Sequence, residues 1–177
     1  MDLWAHTHLG QAFDEQGHWA ASGVVQAELL QRWQAEPFFA KPAPKSTGRD
    51  LFNAAWLQRT PLSAYRPQDV QATLCELSAW CVDDHLARAL PRAAQLWVCG
   101  GGALNGALMR RLQDKLQARL GAGATVCSTQ AAGLDPLDVE AAAFAWLAQR
   151  FCHRQAGNLP SVTGARGERL LGALYPA

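Results

Sequence analysis

Charge is scarce in this sequence, and what there is carries no bias. Asp, Glu, Lys and Arg make up 18% of the 177 residues, and 16 basic against 15 acidic side chains leave a formal charge of +1. Acids and bases are interspersed, so the clustered basic face of a nucleic-acid groove is missing. Long apolar runs are missing too. The longest, AAAFAWLA at 141–148, falls well short of the roughly 20 residues of a membrane span and reads as a core helix. Near Met1 there is neither the basic stretch nor the apolar stretch of a secretory signal. The five cysteines (Cys75, Cys81, Cys99, Cys127 and Cys152) are odd in number and never fall in C-x-x-C spacing. Two of them lie in segments that read as buried strands, so reduced thiols in the cytoplasm are the expectation.

The familiar catalytic signatures are also absent. The chain has no G-x-S-x-G elbow, no H-E-x-x-H and no Cys-His pair in a recognisable context. His6, His8 and His18, and Cys81 with His85 at i, i+4, complete no ligand set, so no metal site is expected. Lys45 of PAPKSTGRDLFN (42–53) follows Pro44, with no glycine in the eight positions before it. The flexible cradle of a G-x-x-x-x-G-K-[ST] phosphate loop is therefore lacking.

What is present is a globular composition, 49% apolar, and a length that suits one domain over residues 1–177. Asp2-Leu3-Trp4 look like the inside of a helix already under way. An amphipathic helix is expected over 24–33, a short helix over 50–57, and a long one over about 67–90. Val70, Leu74, Leu77, Cys81 and Leu86 form the apolar stripe of this long helix, and Pro91 closes it. LWVCGGG reads as a buried strand running into glycines, 105–120 as a helix, and ATVCST as a second short strand. A last helix is expected over about 137–152, and GNLPSVTGARGERLLGALYPA forms a glycine- and proline-rich tail. Helices alternating with strands give an α/β or α+β class, helix-rich with a small sheet. Two strands alone are marginal unless they join others.

Three stretches carry candidate chemistry. In VCGGGALN a strand ends in Gly100, Gly101 and Gly102 and a helix follows, which lets a ligand approach the backbone and offers it free N–H groups. A dinucleotide fingerprint is disfavoured, because Asn105 stands at the third glycine position and Cys127-Ser128-Thr129 replace the expected acid. The adenosine half of a nucleotide, or a bare strand-to-helix turn, remain as readings. In KSTGRD, Ser46 and Thr47 are expected to cap the following helix, Thr47 with Asp50 resembling a capping box, while Lys45 and Arg49 either contact an anion or are solvated. In DPLDVEAAAFAWLA, Asp135 is expected as N-cap, Pro136 as the first helical residue and Asp138 in the first turn. Glu140 then adjoins a stretch apolar on all sides, so partial burial is expected, with either a basic residue or a polyhydroxy ligand as its partner.

With KSTGRDLFN, DVQATLCELSA, VCGGGALN, DPLDVEAAAFAWLA and GNLPSVTGA taken together in that order, the chain resembles the anhydro-N-acetylmuramic acid kinases over essentially its whole length. That family belongs to the actin-like, ribonuclease H-like ATPase and sugar-kinase superfamily, whose members place two lobes around a cleft. The resemblance implies phosphorylation of 1,6-anhydro-N-acetylmuramic acid by ATP, with water opening the anhydro ring, in cytoplasmic peptidoglycan recycling. It implies that this chain is the C-terminal lobe alone. The N-terminal lobe, with the phosphate-gripping hairpin, most contacts to Mg²⁺ and the catalytic aspartate, would lie upstream, leaving no catalytic residue here. On the same resemblance, Gly100, Gly101, Gly102 and Asn105 would bind ATP and Glu140 the sugar. Lys45, Ser46, Thr47 and Arg49 match a motif whose ligand group is open. Partners would be the amino sugar and ATP, with no nucleic acid or membrane. The apolar face left uncovered would drive homodimerisation or pairing with a separate N-terminal half, the latter restoring turnover; a non-catalytic lobe acting through association is the alternative.

Overall fold

A central helix organises the computed structural model, which describes residues 1–175. The helices are α1 (Asp2–Leu9), α2 (His18–Ser22), α3 (Ala27–Gln34), α4 (Pro37–Ala40), α5 (Ala54–Gln58), α6 (Pro67–Ala89), α7 (Gly106–Leu120), α8 (Val139–Cys152) and α9 (Pro160–Thr163). Two strands, β1 (Gln95–Val98) and β2 (Thr125–Ser128), flank α7 and pair in parallel, with Gln95 opposite Thr125 and Val98 opposite Ser128. The class is α/β, helix-rich with a small parallel sheet. The last two residues of the single domain expected over 1–177 lie outside the described residues.

Pro67 at the first position of α6 costs no hydrogen bond, because that N–H has no helical partner anyway. The helix then packs against α1, α2, α3 and α7. One apolar stripe does not describe it. Every residue from Asp69 to Cys75 is buried, polar ones included, because neighbours enclose this half of the helix on all sides. Each polar member makes a hydrogen bond with residues far upstream in sequence. Asp69 accepts from the Val24 amide (2.9 Å) and from the Gln26 and Arg66 side chains. Thr73 Oγ1 accepts from the Gln26 amide (3.0 Å), and Gln71 donates to Asp14. Leu86 and Cys81, expected in the stripe, are only half-buried, since fewer elements cover this end.

Leu29 and Trp33 of α3, Phe39 of α4, Trp56 of α5 and Val70, Leu74 and Leu77 of α6 form the main core. Each such side chain contributes about 1.5–3 kcal/mol by leaving water. Aromatic rings dominate it: Phe39 stacks on Phe52 at 5.5 Å, and Trp33 lies 5.4 Å from Trp56. A smaller cluster of Ala20, Cys75 and Ala107 lets α2, α6 and α7 approach closely.

The strands are not buried as the sequence pattern predicts. Trp97 is 41% exposed, Cys99 is exposed and Cys127 only half-buried. Parallel strands are normally covered on both faces; here the sheet has two strands, and no third pairs with them among the described residues. The outer edge of β2 is satisfied by a side chain instead. Gln113 of α7 accepts from the Val126 amide (2.7 Å) and donates to the Ala124 carbonyl (2.8 Å).

The last long helix departs most from expectation. No residue of α8 is buried, and Phe144 and Trp146 are 65% and 48% exposed. A stretch apolar all round predicts burial only if there are elements to bury it, and the described residues supply too few. Among the described residues no helix is long and apolar enough to cross a membrane.

Candidate functional site: a glycine turn between two clefts

The chain leaves β1 and reverses at Gly100, whose φ of 68° with ψ of −171° is a conformation open to glycine and costly for other residues. A short 3-10 turn, Gly101–Leu104, follows, and Asn105 then starts α7 by accepting a hydrogen bond from the Leu108 amide (2.9 Å). The turn is fixed from both sides. The Gly100 amide donates to the Pro136 carbonyl at 2.7 Å, and the Ala103 amide returns to the Gly100 carbonyl at 3.0 Å. Among the described residues the Gly101 and Gly102 amides donate to nothing. A Cβ placed at Gly100 or Gly101 would meet no atom within 4 Å. Two amides without a partner thus stand beside the first turn of a helix, where backbone N–H groups can receive an anionic or polar ligand.

Gly101 and Gly102 line a cleft of about 500 Å³ together with Phe13, Asp14, Gln16 and Leu137. The segment around Asp14 was passed over by sequence reasoning. Gly17 lies so close to the start of α7 that a Cβ there would sit 2.1 Å from Asn105 Oδ1 and 2.8 Å from Ala107 Cβ, and its φ is +72°. This contact sets the distance between the FDEQG segment and the glycine turn. A glycine in an aperiodic stretch of aromatic and polar residues was the available signal. Asp14 is buried, and its carboxylate accepts from the Trp19 and Ala20 amides and from Gln71. It holds α2 in place.

The Lys45–Arg49 segment does not act as its composition predicts. Lys45 Nζ donates to the Phe38 and Phe39 carbonyls, at 3.0 and 2.7 Å, and lies 5.0 Å from the Phe38 ring centroid. Its charge closes the end of α4. Neither Ser46 nor Thr47 caps a helix. Ser46 is exposed, and Thr47 Oγ1 is buried without a partner. The expected capping box is replaced by a local bond from the Gly48 amide to Asp50 (2.7 Å), because residues 49–51 form a turn. The helix begins at Ala54, and Asn53 caps it by accepting from the Trp56 amide at 3.0 Å. Arg49 is exposed and lines a second cleft of about 570 Å³, beside Asp2, His6 and Asn53. Met1 and Asp2 border both clefts.

Glu140 lies in the first turn of α8 and is exposed, not partly buried as expected, for the reason that exposes the whole helix. Nor does Asp135 cap α8. It accepts from the Leu137 amide (2.8 Å) in a turn of its own, and the helix starts at Val139 after Asp138. Pro136 is buried and receives the Gly100 amide, so the glycine turn and the entrance to α8 come together. The Lys45–Arg49 segment joins neither. Among the described residues no group of three His, Cys, Asp or Glu side chains could hold a metal ion.

Strand, glycine turn and capped helix beside an open cleft define a helix-rich α/β protein whose backbone turn borders that cleft. A family model described as anhydro-N-acetylmuramic acid kinase matches residues 1–177. A protein of that name from Variovorax paradoxus is 54% identical over 179 residues, covering 100% of this chain and 46% of the relative. Its namesake from Pseudomonas putida is 53% identical, again over 100% of this chain and 48% of the relative, and that from Ralstonia nicotianae is 49% identical, over 100% and 46%. The chain belongs to the anhydro-N-acetylmuramic acid kinase family, a family of carbohydrate kinases. It spans slightly under half the length of these relatives.

Proposed function

We propose that this chain is the C-terminal lobe of an actin-like, ATP-dependent kinase that converts 1,6-anhydro-N-acetylmuramic acid to N-acetylmuramic acid 6-phosphate in the bacterial cytoplasm, where peptidoglycan fragments are recycled. The observation that carries the reading is the glycine turn. Gly101 and Gly102 offer two free amides to a cleft, and Asn105 fixes the helix start behind them. Such a turn accepts the adenosine side of a nucleotide by close backbone approach. Glu140, exposed three residues beyond Leu137 of the same cleft, is free to accept hydrogen bonds from sugar hydroxyls.

In the complete kinase, a base on the other lobe takes the proton of the attacking water. The γ-phosphoryl group passes in line to the oxygen released by ring opening. The residues of this chain hold the two substrates in position. They do not fit Mg²⁺: Asp14 is buried and turned onto two amides and Gln71, and the described residues hold no cluster of ligands. The metal belongs to the phosphates and the other lobe.

Two titrations test the reading. ADP added to the chain labelled with ¹⁵N-glycine should move the Gly100–Gly102 resonances and leave Gly164 and Gly167 unmoved. With ATP and the anhydro-sugar, the chain alone should form no phosphosugar, and adding a polypeptide of the remaining half of a family member should restore it. Unmoved glycine-turn resonances, or turnover by the chain alone, would sink the proposal. The exposed apolar side chains of α8 favour a second reading, a non-catalytic lobe that acts by association. Association without ADP binding would support it.

A further inference from the structure

Indole N–H groups inside a protein normally find an acceptor. Trp4 donates to the Pro67 carbonyl at 2.8 Å, and Trp56 donates to Glu36 Oε2 at 2.9 Å. Trp33 breaks the pattern. It belongs to the main core and is 3% exposed, yet its Nε1 has no partner among the described residues. A buried donor left unpaired weakens the fold unless something from outside supplies the acceptor.

Trp33 lines a pocket of about 200 Å³, built from the end of α3, the turn before α4 and the end of α5. This pocket shares no lining residue with the cleft of the glycine turn or with the cleft beside Arg49. The other polar side chains that line it are Arg32, Glu36, Arg59 and Thr60, so two guanidinium groups stand against one carboxylate. Glu36 is engaged. The oxygen that takes the Trp56 indole also receives Arg59 Nη1, at 3.4 Å. That contact is long and single, and the rest of the Arg59 fork has no acceptor among the described residues. Arg32 is exposed, and no carboxylate lies within ion-pair distance of it among the described residues. Thr60 is 7% exposed and adds a hydroxyl.

Donors thus outnumber acceptors around a space too small for a drug-sized molecule and ample for a small anion. A carboxylate would bring two oxygens to these four donor residues, and a phosphate group brings at least three. We infer that this pocket binds a phosphate group. Arg32 and Arg59 neutralise its charge, and the Trp33 indole and the Thr60 hydroxyl donate to its oxygens. The site goes beyond the kinase reading and does not rest on it.

The Trp33 indole is the natural reporter. Inorganic phosphate and glucose 6-phosphate are titrated separately, at millimolar concentrations, into the ¹⁵N-labelled chain, with chloride at matched ionic strength as the control. Both phosphates should move the Trp33 Nε1–H resonance, identified by its loss in Trp33→Phe, and leave the Trp97 and Trp146 indoles in place. Tighter binding of inorganic phosphate identifies the free ion as the ligand, and tighter binding of the sugar phosphate identifies an ester; either supports the site. Arg32→Gln and Arg59→Gln should each weaken binding about tenfold. Arg32→Gln should also leave the melting temperature unchanged, since that side chain has no ion pair to lose. A Trp33 resonance that neither phosphate moves, that chloride moves as far, or that responds undiminished in both arginine variants would overturn the inference. The readout needs neither ADP nor turnover, so its failure leaves the kinase reading standing.

Discussion

Gly100 and Gly101 are adjacent, both open to solvent, and should respond to the same substitution in opposite ways. At Gly100 an added Cβ meets no atom within 4 Å, so no clash opposes alanine. The cost is in the backbone. A φ of 68° with ψ of −171° is a region that residues with a Cβ occupy at about 1–3 kcal/mol. For a domain of this size each kcal/mol lowers the melting temperature by about 2–4 °C, so Gly100→Ala should melt about 2–12 °C lower. Gly101 also has open space around its Cβ position, and its φ lies outside the left-handed region. Gly101→Ala should therefore melt within about 1 °C of the parent, while its methyl group occupies the face on which a nucleotide would rest. ADP affinity should fall about tenfold. Circular dichroism melts and calorimetric ADP titrations of both variants separate the effects. Parent-like melting of Gly100→Ala would refute the strain argument. Unchanged ADP binding by Gly101→Ala would refute the backbone-approach argument, whatever the melts show.

Three further expectations follow from parts of the fold away from the turn. Replacing Phe144 and Trp146 together by serine should leave the melting temperature within a few degrees, because no α8 residue is buried, and should reduce self-association measured by light scattering; a large loss of stability would show that α8 is packed in solution. Glu76 is partly buried, which pushes its carboxyl up, but hydrogen bonds from Lys115 and from Arg111 (2.8 Å) outweigh this and leave it below the usual value of 4.5. Its contribution is thus complete above pH 4.5 and lost as pH falls through the depressed native value, so Glu76→Gln should lower stability by about 1–3 kcal/mol at pH 7 and flatten the acid limb of the melting profile; an unchanged acid limb would count against the pairing. Burial, with Asp84 adding to it, pushes the Cys81 thiol up to about 11, and Cys75 is fully buried, whereas Cys99 and Cys152 are exposed. A thiol-exchange reagent at pH 8 should modify Cys99 and Cys152 rapidly and reach Cys75 and Cys81 only in denaturant, and early labelling of Cys81 would contradict its environment.

Most helices were legible in the sequence because their signals are local. Pro67 and Pro91 bracket the long helix, Asn105 starts α7 as a capping residue should, and the glycines after β1 mark a turn that a Cβ would strain. The glycine turn was found for that reason: a backbone requirement is written in residue type. The two helix starts that were misplaced, at Asn53 and at Asp138, had several capping-competent residues in a row. Thr47, Asp50 and Asn53 all qualify chemically, and only the packing of Phe52 and Trp56 into the aromatic core selects which one faces a free amide.

Burial was the property that sequence alone could not decide, because it belongs to pairs of elements. By itself the sequence determined the order of helices and strands, the glycine turn and the family to which the chain belongs. The tertiary structure decided that Asp69, Gln71 and Thr73 sit inside, hydrogen-bonded to residues dozens of positions away. It decided that Lys45 is spent on two carbonyls while Arg49 faces a cleft. It also decided that α8, the most apolar helix, lies at the surface. Apolar residues measure how much a segment gains by being covered, and whether it is covered depends on what else is there to pack against it.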